Sequence, residues 1–218
     1  ARTSLESTYT HLQTVYQYFQ SLSKAIKDDN RESITDLYQE YPAVKRYLEN
    51  IFREGKAQEF VGLKTLDELL RELEISEGKT AEEESKKNKL IQFIDNLILL
   101  IGERMREIVA TEEELDGLIS LLERTNEKIR DVSVLLQTGK DREAMAHVIR
   151  FTELSQKLLR LYSILHEKQI VDPNQLKVKE KSLEEFYQEL NTFFSELHEA
   201  FTVNDSVLVG DLFEYEIS

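Results

Sequence analysis

One stretch of this chain is spelled twice. Ala25-Ile26 … Asp29-Asn30 … Ser33-Ile34 … Asp36-Leu37-Tyr38 returns near the other end as Ala200-Phe201 … Asn204-Asp205 … Leu208-Val209 … Asp211-Leu212-Phe213. The register holds upstream without a gap, with Val15, Phe19 and Leu22 aligning on Leu190, Phe194 and Leu197. Each copy reads as an amphipathic helix, an Asx turn and a second helix folded back on the first. Apolar residues recur at threes and fours, and Asn and Asp offer acceptors to the free amides of a helix start. A weaker middle copy surrounds Gln137-Thr138-Gly139-Lys140-Asp141. There Ala144-Met145 … Val148-Ile149 matches Leu208-Val209 … Leu212-Phe213, and the preceding helix matches after insertion of one residue. Two or three imperfect copies are too few for a regular solenoid. The repeat therefore predicts duplicated helical hairpins inside a bundle, an all-α fold.

Helical spacing extends well beyond the repeat. Leu5, Tyr9, Leu12, Tyr16, Phe19 and Ile26 form one seam, with Ser23 in its single polar place. Leu115, Leu118, Leu122, Ile129, Val132 and Leu136 form another; Ala144, Val148, Phe151, Leu158, Tyr162 and Leu165 form a third. Flanking apolar positions widen each stripe, so a multi-helix antiparallel bundle is expected rather than a free coiled coil. Capping boxes at Thr80–Glu83, Thr111–Glu114 and Ser182–Glu185, an Asp172-Pro173 start, and a Gly139 stop followed at once by an Asp141 cap set the boundaries. They predict long helices over 81–109, 112–138, 142–170 and 173–203, the last irregular at its charged start, followed by a short terminal helix through Tyr215. Pro42, Gly55 and Gly62 are expected to cut 31–75 into short helices, the last starting at Thr65. The predicted organisation is thus 1–80, a long helix plus a short-helix subdomain, and 81–218, the long-helix bundle, which would also take in the first helix if the two form a single domain.

Composition excludes several classes of function. Seven Gly and two Pro leave little turn chemistry for a sheet, and the absence of Cys removes disulfides, thiolate metal sites and thiol nucleophiles. A net charge of −14 opposes nonspecific nucleic-acid binding, which needs Lys and Arg to neutralise phosphates, and opposes attachment to an anionic membrane. The most apolar run, 90–101, is interrupted by Gln92, Asp95 and Asn96 and is too short to span a bilayer. No signal-peptide core opens the chain, and a reducing cytoplasm fits the lack of Cys.

No motif for chemistry rises above this background. None of His11, His147, His166 and His198 lies three residues after a Glu, as a di-iron carboxylate site requires. Hydrolase elbows, phosphate loops and zinc-protease helices are absent, and the acidic runs Glu82–Glu84 and Glu112–Glu114 suit helix starts. We therefore expect no catalytic residue, no cofactor and no metal. The candidate partner-binding residues are the Tyr-rich first third and the apolar ending. Tyr is enriched at contact surfaces. Tyr9 and Tyr16 belong to the seam, whereas Tyr18, Tyr41 and Tyr47 are the candidates to line a groove, together with Leu208, Leu212, Phe213 and Tyr215 of the last helix.

The closing string Asn204-Asp205-Ser206-Val207-Leu208-Val209-Gly210-Asp211-Leu212-Phe213-Glu214-Tyr215-Glu216-Ile217 resembles the ending of a group of uncharacterised helical bacterial proteins. Gly139-Lys140-Asp141-Arg142-Glu143-Ala144 is similar to their internal turn. The resemblance implies a bacterial, helical protein and carries no active-site residue with it. The functional expectation is a non-enzymatic interaction protein: a scaffold, adaptor or chaperone-like binder, its most concrete form a secretion- or flagellar-type helical chaperone. Its partner would be a protein that is basic or presents an apolar helix, and a homodimer is a further candidate. The competing expectation is a cryptic enzyme or ligand-binding bundle with a Tyr- and Glu-lined pocket between helices.

Overall fold

The computed structural model describes residues 4–53, 61–75 and 80–170, with 177–178, 181–182 and the helical positions 185, 188, 189, 192, 195 and 196 beyond them. Among these residues the chain forms α1 (Ser4–Lys27), α2 (Arg31–Arg53), α3 (Val61–Ile75), α4 (Ala81–Val109), α5 (Thr111–Ile129), α6 (Val132–Gln137) and α7 (Asp141–Glu167). A two-residue antiparallel ladder pairs β1 (Lys177–Val178) with β2 (Lys181–Ser182). This ladder occupies the stretch expected to be the irregular start of a helix; Ser182 is its last residue, and the capping box expected there runs on into residues outside those described. The fold is all-α, as the spacing predicts. Contacts divide the chain into two compact units, Ala1–Val109 and Ala110–Ser218. That division falls one helix later than the boundary expected after residue 80.

In the first unit α4 packs antiparallel on α1. Leu12, Val15, Phe19, Leu22 and Ile26 share one core with Leu90, Ile94, Leu97 and Ile101. The broad apolar face of α4 needs an equally broad partner, and α1 supplies one. Burying a single large side chain here contributes about 1.5–3 kcal/mol, and this seam buries many. The capping box at its start is present in both directions: Thr80 N–H donates to Glu83 Oε2 (3.0 Å) and Glu83 N–H donates to Thr80 Oγ1 (3.2 Å).

The expected short-helix subdomain is instead two continuous helices. α2 runs through Pro42, and α3 begins before Thr65 and contains Gly62. A proline inside a helix withdraws one hydrogen bond and crowds the carbonyl four residues back. Here tertiary packing overrides that cost. Ile34, Tyr41, Val44 and Leu48 lie on one buried stripe that spans the proline, and breaking the helix would forfeit half of it. The Tyr18 hydroxyl of α1 also donates to the Leu37 carbonyl at 2.6 Å, one turn before Pro42.

The second unit, as described, is a hairpin of α5 and α6 against α7. Leu118, Leu154 and Leu161 form its centre, flanked by Leu115, Leu122 and Leu158. The expected continuous helix over 112–138 is interrupted at Arg130 and Asp131, where Asp131 N–H turns back to Lys128 O at 3.2 Å. This tighter three-residue turn brings Ile129 and Val132, both buried, toward one face.

The first and middle turns of the repeat have the same geometry. At the end of α1, Asn30 N–H bonds Ala25 O (2.9 Å) and Asp29 N–H bonds Ile26 O (3.2 Å), with Asp29 at φ +51°. At the end of α6, Lys140 N–H bonds Leu135 O (2.8 Å) and Gly139 N–H bonds Leu136 O (3.2 Å), with Gly139 at φ +73°. Both are Schellman closures. They set Ala25 on Leu135 and Asn30 on Lys140: the preceding helices take the register the sequence match reaches after its one-residue insertion, while the following helices sit one residue off that match, with Ile34 rather than Ser33 on Ala144. In that register the buried residues Phe19, Leu22, Ile34 and Val44 fall on the buried Ile129, Val132, Ala144 and Leu154. Asn30 caps α2 as expected, its Oδ1 accepting from Ser33 N–H at 3.1 Å. The middle copy differs by one residue: Lys140, not Asp141, holds the N-cap position, and its side chain makes no capping bond. The third copy, from Ala200, lies outside the described residues.

Candidate functional site

Two carboxylates of the first unit are held in the same way. Asp95 of α4 accepts from Ser23 Oγ (2.7 Å) and pairs with Lys27 Nζ (3.0 Å). Asp67 of α3 accepts from Tyr41 Oη (2.7 Å) and pairs with Lys45 Nζ. The construction is the same twice: a hydroxyl and an ammonium four residues apart on one helix clamp a carboxylate carried by another. Four residues is one helical turn, so both donors stand on a single face and converge on one group. Burial alone would raise the Asp95 carboxyl. The Ser23 hydroxyl and the Lys27 ammonium outweigh it and hold the group below the ordinary carboxylate range.

These clamps decide the standing of the tyrosine candidates. Tyr18 and Tyr41 are each only 6% exposed. Burial, and after it the charge of Glu40, pushes the Tyr18 hydroxyl well above its ordinary range. Burial followed by the bond to Asp67 does the same for Tyr41. Both hydroxyls stay protonated and donate inside the core, so neither residue lines a surface groove, contrary to the expectation. The aromatic ring supplied the area that the core required, and a nearby acceptor was found for each O–H. Tyr47 is half-buried, and its ring stacks on His11 with centroids 4.5 Å apart. It is the one candidate of the three with part of its surface free. Leu208, Leu212, Phe213 and Tyr215 lie outside the described residues.

Asp67, Asp95, Lys27 and Lys45 did not emerge from sequence reasoning. A signal existed for one clamp: Ser23 is the polar place in the α1 seam, and Asp95 is a polar interruption of the most apolar run. Two such interruptions in apolar stripes can be expected to meet. Asp67 and Lys45 sit among ordinary surface-type residues and carry no comparable mark.

An open cleft of about 420 Å³ lies at the first turn, lined by Ser21, Lys24, Asp28, Asn30, Ser33 and Asp36 among others. It gathers the repeat residues, including Asp36, which capping does not use. Among the described residues no group of three His, Asp or Glu side chains could hold a metal ion, and no helix is long and apolar enough to cross a membrane. In the second unit the expected cap at Thr111 has another role. Ala110 takes the N-cap position, while buried Thr111 accepts from Lys168 Nζ (2.9 Å) and Glu114 pairs with Lys157 (2.7 Å). Both tie α5 to the α7 end of the hairpin. Five large aliphatic side chains there remain exposed: Ile119, Leu121, Val134, Ile149 and Ile170.

A family model described as a domain of unknown function (DUF8042) matches residues 113–218. Its start lies close to the division between the two units at Ala110. An uncharacterised protein of Treponema pallidum (strain Nichols) is 31% identical over 100 residues, covering 45% of this chain and 48% of the relative. The match thus spans about half the length of that curated relative. No solved structure matches the chain. The second unit is therefore similar to a domain of unknown function, which supports the expected tie to an uncharacterised family.

Proposed function

We propose that the chain is a non-enzymatic helical interaction protein, a scaffold, adaptor or chaperone-like binder of a partner protein. The observation that supports this reading is the apolar surface of the α5–α6–α7 hairpin, where Val134 and Ile149 are 57% and 53% exposed. Single exposed aliphatics are normal, but four on one helical hairpin, with Ile170 just past the end of α7, favour contact with an apolar helix face. The partner is a protein that presents such a helix, and the net charge of −14 favours a basic one. A bacterial cytoplasm fits the absence of Cys and the Treponema relative. The competing reading, a Tyr- and Glu-lined pocket, draws less support. The hydroxyls of Tyr18 and Tyr41 are spent on Leu37 O and Asp67.

The test is affinity capture with the full chain and with a Val134→Asp/Ile149→Asp double variant, alongside light scattering. The expected result is a stoichiometric protein partner, or a homodimer, that is lost from the variant while its helical circular dichroism is unchanged. Equal capture by both forms would remove this face from the proposal. Recovering no partner across several growth states would remove the reading itself.

A further inference from the structure

The likeness of the two hairpins continues along the rest of each unit. After the first hairpin comes Thr65-Leu66-Asp67-Glu68-Leu69-Leu70-Arg71-Glu72-Leu73, and after the second comes Ser182-Leu183-Glu184-Glu185-Phe186-Tyr187-Gln188-Glu189-Leu190. Leu66, Glu68, Glu72 and Leu73 recur unchanged, a hydroxyl replaces a hydroxyl at the start, and Glu184 replaces Asp67. Further on, Asn96-Leu97-Ile98-Leu99-Leu100-Ile101-Gly102-Glu103 is matched by Asn204-Asp205-Ser206-Val207-Leu208-Val209-Gly210-Asp211.

Helices rich in Leu and Glu resemble one another by composition, but three observations go beyond that. The hairpins, the first strings and the second strings follow in the same order, displaced by 110, 117 and 108 residues. Glycine is rare, seven in 218 residues, and inside a helix it costs about 1 kcal/mol relative to Ala, yet Gly102 of α4 is matched by Gly210. Exposure agrees as well. Glu185, Gln188 and Glu189 are helical and exposed, and they fall on Glu68, Arg71 and Glu72, all exposed on α3. Leu183, Phe186 and Leu190 then take the positions of Leu66, Leu69 and Leu73, which are buried or half-buried. The strings part at their start, where Thr65 lies inside α3 and Ser182 in β2. The match of Ala25 on Ala200, displaced by 175, does not fit this order and competes with it for residues 204–211.

We infer that residues 1–109 and 110–218 are two copies of one domain, the chain being a tandem duplication. The strings from Ser182 and from Asn204 stand in the second copy where those of α3 and α4 stand in the first. The likeness to a domain of unknown function, found at 113–218, then extends to the first unit. The apolar face of the proposed interaction does not extend with it. Val134 and Ile149 fall on Lys24 and Gln39, which are exposed and polar, so the second copy alone offers that face. The duplication goes beyond the interaction reading and does not rest on it.

Thiol cross-linking in the full chain tests it, and the absence of native Cys makes introduced pairs report cleanly. In the first unit Tyr41 bonds Asp67 and Ser23 bonds Asp95. The duplication carries these pairs onto Phe151–Glu184 and Ser133–Val203. Phe151→Cys/Glu184→Cys and Ser133→Cys/Val203→Cys are therefore expected to be joined by a short bifunctional thiol reagent, read by mass spectrometry of the digested protein. Gln188 is exposed, so Phe151→Cys/Gln188→Cys is expected to be joined about tenfold less, since linkage needs side chains directed toward each other. Ser133 and Val203 are small, so their pair carries the test if loss of the Phe151 ring unfolds the second unit, which circular dichroism would show. Linkage of neither pair above the Phe151→Cys/Gln188→Cys control would overturn the inference.

Discussion

The α1–α2 hairpin and the hairpin of α5, α6 and α7 close through the same Schellman turn, yet they are held in different ways. In the first, clamped carboxylates on α3 and α4 pin covering helices onto the hairpin, and the core side chains are well enclosed, although Leu99 and Val109 of α4 stay exposed. In the second, the positions matching Ser23 and Lys27 in the shared turn register are Ser133 and Gln137, and those matching Tyr41 and Lys45 are Phe151 and Ser155. No lysine is available for a clamp of that form. Its polar ties, Thr111–Lys168 and Glu114–Lys157, run between the two arms of the hairpin itself, and its aliphatics stay partly outside. The turn therefore specifies only that two helices fold back. What the hairpin then receives depends on which charged residues its outer faces carry.

Removal of core volume should separate the two most sharply. Phe19→Ala in the first unit, where the ring is fully enclosed, is expected to cost about 3–5 kcal/mol in urea denaturation. The matching Ile129→Ala should cost about 2–5 kcal/mol. A larger loss at Ile129 than at Phe19 would contradict the picture of the first unit as the better-packed one. The next effect is electrostatic. Lys157 and Glu114 are only 15% and 20% exposed, so Glu114→Gln removes one charge of a largely enclosed ion pair and should cost about 1–3 kcal/mol. Removing the exposed Arg31–Asp29 pair with Arg31→Ala should cost under about 0.5 kcal/mol by the same assay.

Exchanging the turn residues gives a smaller effect whose sign is the readout. Gly139→Ala places a Cβ at φ +73°, with nothing nearby to clash, so only backbone strain of about 1 kcal/mol is expected. Asp29→Gly should do the reverse and stabilise the first turn by a few tenths of a kcal/mol. Equal signs in thermal melts would mean that the two turns are not the same device.

The smallest expected effect is pH-dependent. The Asp95 carboxyl is depressed in the folded chain. Its contribution is fully present above the unfolded value of ~4 and is lost as the pH falls through the lower folded value. Stability measured from pH 5 downward should therefore fall less steeply in Asp95→Asn than in the wild type. An unchanged slope would show that the Ser23–Lys27 clamp does not favour the carboxylate.

The comparison also shows where sequence reading succeeds and where it stops. The Thr80–Glu83 box, the Gly139 stop and the Asn30 cap were legible because each involves groups within about a turn of one another. Thr111 and Glu114 have the same local spelling as Thr80 and Glu83, but Lys168 and Lys157 draw them into long-range ties. Pro42 reads as a breaker, and the buried stripe on either side of it keeps the helix whole. Tyr18 and Tyr41 read as free aromatic surface because their acceptors, Leu37 O and Asp67, are far away in sequence. A scan for polar interruptions in apolar seams would have paired Ser23 with Asp95, but no comparable signal marks Asp67.

The sequence by itself determined that the chain is helical, where α4 begins and ends, where α1 and α6 stop, and that a hairpin with one kind of turn recurs. These depend on spacing, capping and backbone freedom, which act over a few residues. Tertiary structure alone decided that α4 joins α1, that the chain divides after Val109, and that α2 survives its proline. It also decided that the tyrosines face inward. Each of those outcomes sets one stripe or one charge against another many turns distant, and the better-buried pairing wins over the local preference.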